Sequence, residues 1–155
     1  MGRKFTPTDE NKIYFLTAYK TALKNETVIR DKIKTLRERQ AAASAIQYTG
    51  MPHGTDLHDL SDYTVRLEEL IIDLTERMKK TDEVYEVISA KLKTLNREEY
   101  IALYQRFIRE KNPVVISSII CCARESVYRY IRRGLENLEV TDADIRRIDE
   151  LLYAS

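Results

Sequence analysis

Tryptophan is absent from this 155-residue chain, and glycine occurs only four times, proline three times and cysteine twice. So little glycine leaves no phosphate-cradling loop, and neither a paired catalytic motif nor a nucleophile elbow is found. The two cysteines, Cys121 and Cys122, are neighbours, which excludes an ordinary long-range disulfide. Without a third cysteine or a nearby histidine they make no zinc site either. They read as reduced, half-buried scaffold residues of a cytoplasmic protein. Long apolar runs are missing too. No stretch approaches the ~20 residues that span a bilayer, and no apolar run follows the polar Met1–Lys4 to make a secretory signal. An excess of one charge is also lacking: 26 lysines and arginines against 25 acidic residues leave a formal net of +1. Net charge by itself therefore points to no polyanionic partner. His53 and His58, near Asp56 and Asp59, form the one place where a metal could be considered, but their spacing matches no standard ligand pattern. The expectation is a protein that is not an enzyme and carries no metal or cofactor.

What is there is helical periodicity, and nothing reads as a strand. Thr6-Pro7-Thr8-Asp9 is a helix start, with Thr6 as cap, Pro7 in the first position and Asp9 near the positive end of the dipole. The helix it opens runs to about Gln47, some ~60 Å. Its apolar set (Ile13, Leu16, Tyr19, Leu23, Ile29, Ile33, Leu36) is a narrow stripe interrupted around Glu26, which suits a coiled-coil seam better than a globular core. Tyr48–Asp59 is the loop of the front half, where Gly50, Pro52 and Gly54 forbid helix and Asp59 can cap the second long helix. Beyond it Leu60, Leu67, Leu74, Thr81, Ile88 and Leu95 recur every seven residues. Thr64, Ile71, Met78, Tyr85 and Leu92 keep a companion register, so the segment reads as an antiparallel or dimeric coiled coil. Of the ten tyrosines, Tyr14, Tyr19, Tyr63 and Tyr85 read as seam residues rather than a stacking platform for single strands. Asn96-x-x-Glu99 is a capping box for a third helix, Arg97 to about Arg109. Asn112-Pro113 caps a fourth, Ala123 precedes a fifth, and Thr141-x-x-Asp144 opens a short sixth to Leu152. The expected fold is all-α: a long helical hairpin over residues 1–95, then a helix-turn-helix domain with a short C-terminal helix over residues 96–155.

The balanced charge hides a segregation. Arg124–Arg133 holds four arginines against one glutamate, a local net of +3, whereas Glu139–Ser155 has a local net of −3. Wound at 100° per residue, Ala123–Leu138 gathers Val127, Ile131, Gly134, Leu135 and Leu138 on one face. Glu125, Arg129, Arg132 and Arg133 fall opposite, with Tyr128 and Tyr130 on the flanks. Val115, Ile116, Ile119 and Ile120 of the preceding helix are the expected partner surface for the apolar face. The charged face is left to meet phosphates and base edges of double-stranded DNA, as the second helix of a helix-turn-helix does. The candidate DNA-binding residues are Arg124, Glu125, Ser126, Tyr128, Arg129, Arg132 and Arg133.

From Leu95 to Leu138 the chain resembles the last helix-turn-helix of bacterial sigma factors, region four. The match rests on Leu95, Asn96-Arg97-Glu98-Glu99, Leu103, Arg106, Phe107, Ile116, Ile119, Ile120, Arg124-Glu125-Ser126-Val127, Ile131 and Leu135. It departs at Ser117, where that family carries alanine, and at Cys121, where it carries the turn glycine. Cys121 must then adopt a positive φ at some cost, or the turn has another shape. Upstream, Tyr19-Lys20, Leu36-Arg37, Gly50-Met51-Pro52-His53-Gly54-Thr55 and Leu60-Ser61-Asp62-Tyr63 resemble a small family of prophage regulators of Gram-positive hosts. That family is related in outline to the RinA and ArpU late-gene activators, and the likeness covers roughly residues 12–138. It implies a phage transcription regulator of late genes, with host RNA polymerase as a second partner contacted through the Tyr48–Asp59 loop. A homo-oligomer, most simply a dimer, is expected through the long helices. Two alternatives share the same features: a helical adaptor that binds polymerase or another protein without reading DNA, and a DNA-recognition subunit of a packaging machine.

Overall fold

The computed structural model describes residues 7–48 and 56–153, and among them every regular element is helical. The order is α1 (Pro7–Tyr48), α2 (Asp56–Leu92), α3 (Arg97–Leu103), a π-helical turn (Tyr104–Ile108), α4 (Pro113–Ile120), α5 (Arg124–Asn137) and α6 (Asp142–Tyr153). The all-α expectation holds. No described helix is long and apolar enough to cross a membrane. Helix α2 starts at Asp56 rather than Leu60, so Asp59 lies inside it and is not its cap. Gly50, Pro52 and Gly54 all precede Asp56, and nothing after them opposes helix. The loop expected over Tyr48–Asp59 falls otherwise on residues 49–55, outside the described residues.

The chain forms two compact units. One contains the chain up to Ala22 and again from Lys80; the other is Leu23–Lys79. These units do not follow the motif boundary between residues 95 and 96, because both long helices contribute one end to the first unit. Its core joins Phe15 and Leu16 of α1, Ile88 and Leu92 of α2, Leu103, Leu135 and Leu138, and Ile148 and Leu152 of α6. Each such side chain contributes about 1.5–3 kcal/mol when fully buried. A stripe wide enough to include Phe15, Leu16 and Ala18 is buried here, so the start of α1 serves a globular core and not only a seam. Leu23, by contrast, is exposed.

Polar contacts hold the same elements in place. The ammonium of buried Lys12 donates to the Leu135 carbonyl at 2.6 Å. That carbonyl is in the last turn of α5, where acceptors lack partners within the helix and the dipole favours a cation. Tyr14 donates to Asp149 of α6, and burial together with that carboxylate raises its phenol above the ordinary range. Tyr19 meets Tyr85 edge-on at 5.3 Å, the Tyr85 and Tyr104 hydroxyls lie 3.1 Å apart, and Tyr104 stacks on Tyr100. Three of the expected seam tyrosines are thus core-side contacts of the first unit. The helix expected to run to Arg109 widens into the π turn from Tyr104, with the Arg109 N–H donating to the Tyr104 carbonyl.

Thr141 and Asp144 close a reciprocal capping box at α6. The Thr141 N–H donates to Asp144 Oδ2 at 2.9 Å, and the Asp144 N–H donates to Thr141 Oγ1 at 3.2 Å. Lys91 stands 3.0 Å from the same carboxylate. Burial alone pushes Asp144 upward, but the Thr141 N–H, Lys91 and the Thr141 hydroxyl together outweigh it and hold the group below its usual value. A carboxylate depressed by folding stabilises the native state above its unfolded pKa, and the gain is lost as pH falls through the folded value. Asp144→Ala should therefore cost about 1 kcal/mol at neutral pH, with the gap to the parent closing in urea melts taken below roughly pH 4. A gap that persists at low pH would leave the ionised carboxylate without this role.

In the second unit α1 and α2 lie side by side with opposed chain directions. Gln40 Nε2 donates to Thr64 Oγ1 at 3.4 Å, and a cleft of about 470 Å³ opens between residues 31–39 and 66–73. Ile33 and Leu36 are buried, and Leu67, Leu70 and Leu74 are half-buried. Glu26, which interrupts the apolar stripe of α1, is itself buried and pairs with Arg30 at 3.2 Å. The companion register is corrected. Thr64, Ile71 and Met78 are exposed, and Leu70 takes the inward position beside Leu67 and Leu74. A single partner helix covers only one narrow face here, so this stretch of the second register is left outside. Its last members, half-buried Tyr85 and fully buried Leu92, belong instead to the first unit.

Candidate nucleic-acid interface

Helix α4 begins where Asn112 accepts from the Val115 N–H at 2.9 Å and Pro113 takes the first helical position. Both are local sequence signals for a helix start. The helix ends at Cys121, which adopts φ 61° and ψ 49°, while the Cys122 N–H donates back to the Ser117 carbonyl at 3.1 Å. This is a left-handed closure of the type that glycine usually makes. Of the two possibilities raised by the missing glycine, the positive φ is the one adopted. Cys121 is exposed and Cys122 half-buried, and both thiols are free; the expectation of two half-buried cysteines fails for Cys121, whose left-handed backbone sits on the surface of the turn. Cys121→Gly should relieve the left-handed strain, about 1 kcal/mol, and raise the melting temperature by ~2–4 °C. A lower melting temperature would mean that the Cys121 side chain contributes more than its backbone costs.

Ala123 provides an extended residue before α5 but no side-chain cap. Helix α5 packs on α3 and α4. Val127, Gly134 and Leu135 are buried with Leu138 just beyond the helix, and Ile131 is half-buried. The close approach to α3 depends on Gly134: a Cβ there would stand 2.9 Å from both Cγ and Cδ1 of Leu103. Glu99 and Asn137 tie the same two helices. Asn96 accepts from the Glu99 N–H, but the buried Glu99 carboxylate accepts from Asn137 Nδ2 at 3.0 Å. The capping box expected at Asn96 thus has one local half, and its glutamate serves the packing of α5.

The outer face carries the sequence candidates. Arg124, Glu125, Tyr128, Arg129, Arg132 and Arg133 are all exposed, and Ser126 is half-buried. None of the four arginines has an ion pair among the described residues. Arg129 is oriented: its Nη2 donates to Ser126 Oγ at 3.2 Å, and its guanidinium lies 6.0 Å from the Tyr130 ring centroid. Ser126 supports Arg129 here, a role that spacing did not suggest for it. The guanidinium groups of Arg129, Arg132 and Arg133 share this face with Glu125, and Arg124 is exposed at the start of the helix. Each guanidinium can donate to phosphate oxygens or to the paired acceptors of guanine.

The expected partner surface on α4 is corrected. Only Ile116 is fully buried, whereas Val115 and Ile119 are exposed, together with Val114. The signal was present in PVVISSII, which holds more apolar residues than one face of an eight-residue helix can bury. Among the described residues no group of histidine, cysteine, aspartate or glutamate could hold a metal ion. The position considered at His53, Asp56, His58 and Asp59 lies outside the residues whose side chains are described. The chain matches no protein-family model, no curated protein and no solved structure.

Proposed function

We propose that this protein is a transcription regulator that binds double-stranded DNA by placing α5 in the major groove. The observation that carries this reading is the outward face of α5, where exposed Arg129, Arg132 and Arg133 form no ion pair among the described residues while the opposite face of the helix is buried, with Arg124 exposed at the start of the helix. Arg124 and Arg133 then neutralise phosphates. Arg129, held by Ser126 and Tyr130, and Arg132 approach base edges, with Glu125 available to accept from a cytosine amine. The resemblance to prophage regulators makes late phage genes the proposed target. Footprinting over the phage genome that encodes the chain tests the reading. A protected site, bound with an affinity that falls steeply with salt, is the expected result. No retardation of any fragment even at low salt would overturn it.

The exposed Val114, Val115 and Ile119 favour a second reading, in which α4 contacts a protein such as RNA polymerase. Under it, Val115→Ser with Ile119→Ser leaves DNA retardation intact and abolishes activation at the target promoter. Normal activation by that variant would remove the support for this contact.

A further inference from the structure

Between residues 64 and 79 the outer surface of α2 is divided lengthwise. At 100° per residue, Arg66, Glu69, Asp73 and Glu76 gather on one flank, and the first three line the cleft against α1. That flank is a solvated, charged surface. The other flank collects Thr64, Val65, Ile71, Ile72, Thr75 and Met78, and it is open: Val65 is 51 % exposed, Ile72 63 %, Ile71 43 % and Met78 44 %. Four large apolar side chains within two heptads form a contiguous exposed patch, of the kind that marks an interaction surface. Only two charges interrupt it, Glu68 and Lys79, and they have opposite signs at opposite ends.

We propose that this flank of α2 is a self-association face that seats the same flank of a second copy of the chain, with the two helices antiparallel. The spacing of the two charges selects both the occupant and its direction. Glu68 and Lys79 lie about 16 Å apart along the helix, symmetrically about a point between Asp73 and Leu74. A two-fold axis there sets Glu68 of each copy against Lys79 of the other, and brings Ile71, Ile72 and Thr75 of both copies together at the centre. A parallel copy would set glutamate on glutamate and lysine on lysine. Within one chain Lys79 rests 3.7 Å from Glu76, with both side chains more than 60 % exposed; such a contact is weak and readily exchanged. The repeat of Ile71–Met78 and Val65–Ile72 at seven residues is the spacing that keeps a helical seam in register.

This face is separate from α5, and its test uses no DNA, so either proposal can fail without the other. Sedimentation equilibrium of the full chain at micromolar concentration should give a dimer. Ile72→Lys should weaken association by roughly thirtyfold or more, while helical circular dichroism and melting of the monomer stay unchanged because the side chain is exposed. Glu68→Lys alone should weaken it about tenfold, and the exchange Glu68→Lys with Lys79→Glu should restore the parent constant. A chain that sediments as a monomer throughout, or an Ile72→Lys variant that associates as tightly as the parent, would overturn the face. An exchanged variant that stays weak would overturn the antiparallel arrangement.

Discussion

A chain carrying Arg129→Ala and Arg132→Ala is expected to bind duplex DNA roughly a hundredfold more weakly at moderate salt, at a cost of about 1–3 kcal/mol for each side chain. The dependence of affinity on salt should flatten as well, by about one unit of slope for each phosphate contact removed. The physical reason lies in the pattern of charge rather than its total. The chain is nearly neutral, so attraction to a polyanion depends on a local face where arginines outnumber carboxylates. Both side chains are exposed, and their loss should change stability by no more than ~0.5 kcal/mol. Arg146→Ala is the matched control, since Arg146 is exposed on α6 among acidic residues, and it should leave the slope unaltered. A double variant that binds as tightly as the parent at every salt concentration would remove α5 from the interface.

Gly134→Val should destabilise the first unit by roughly 2–3 kcal/mol, the range of overpacking a filled core. The first added carbon already meets Cγ and Cδ1 of Leu103 at 2.9 Å, and Leu103 is fully buried in the core. Gly134→Ala should be much milder, because about 1 kcal/mol of helix propensity offsets the same contact. Pairing Gly134→Val with Leu103→Ala should recover part of the loss, as expected for side chains in direct contact. Urea melts that put Gly134→Val level with the parent would mean that α3 and α5 can move apart at no cost. Because α5 carries the arginine face, the valine variant should also bind DNA less well under conditions where it remains folded.

The local punctuation of the chain was legible in its residues alone. Asn112-Pro113 and Thr141-x-x-Asp144 mark helix starts because capping is decided by a few adjacent backbone groups. The two faces of α5 were legible too, since a helix with Arg129, Arg132 and Arg133 on one side and Val127, Leu135 and Leu138 on the other has one way to face a core. Helix α4 was not legible in the same way. PVVISSII is apolar nearly all round, and periodicity cannot choose which of its residues a neighbour covers. Only Ile116 is fully buried, and Val115 and Ile119 remain outside.

The sequence by itself determined that the chain is helical, where most helices begin, and which side of α5 bears positive charge. These depend on interactions within about one turn of helix. The tertiary structure decided that Phe15 and Leu16, from the start of the chain, complete the core beneath Leu135 and Leu138. It also decided that Lys12 answers the open end of α5, that Glu99 reaches Asn137 instead of its own helix start, and that Ile71 and Met78 stay exposed although they repeat as regularly as Leu67 and Leu74. A heptad states that a face is apolar; the number of helices lying against it settles how much of that face is buried, and that number is a property of the assembled fold.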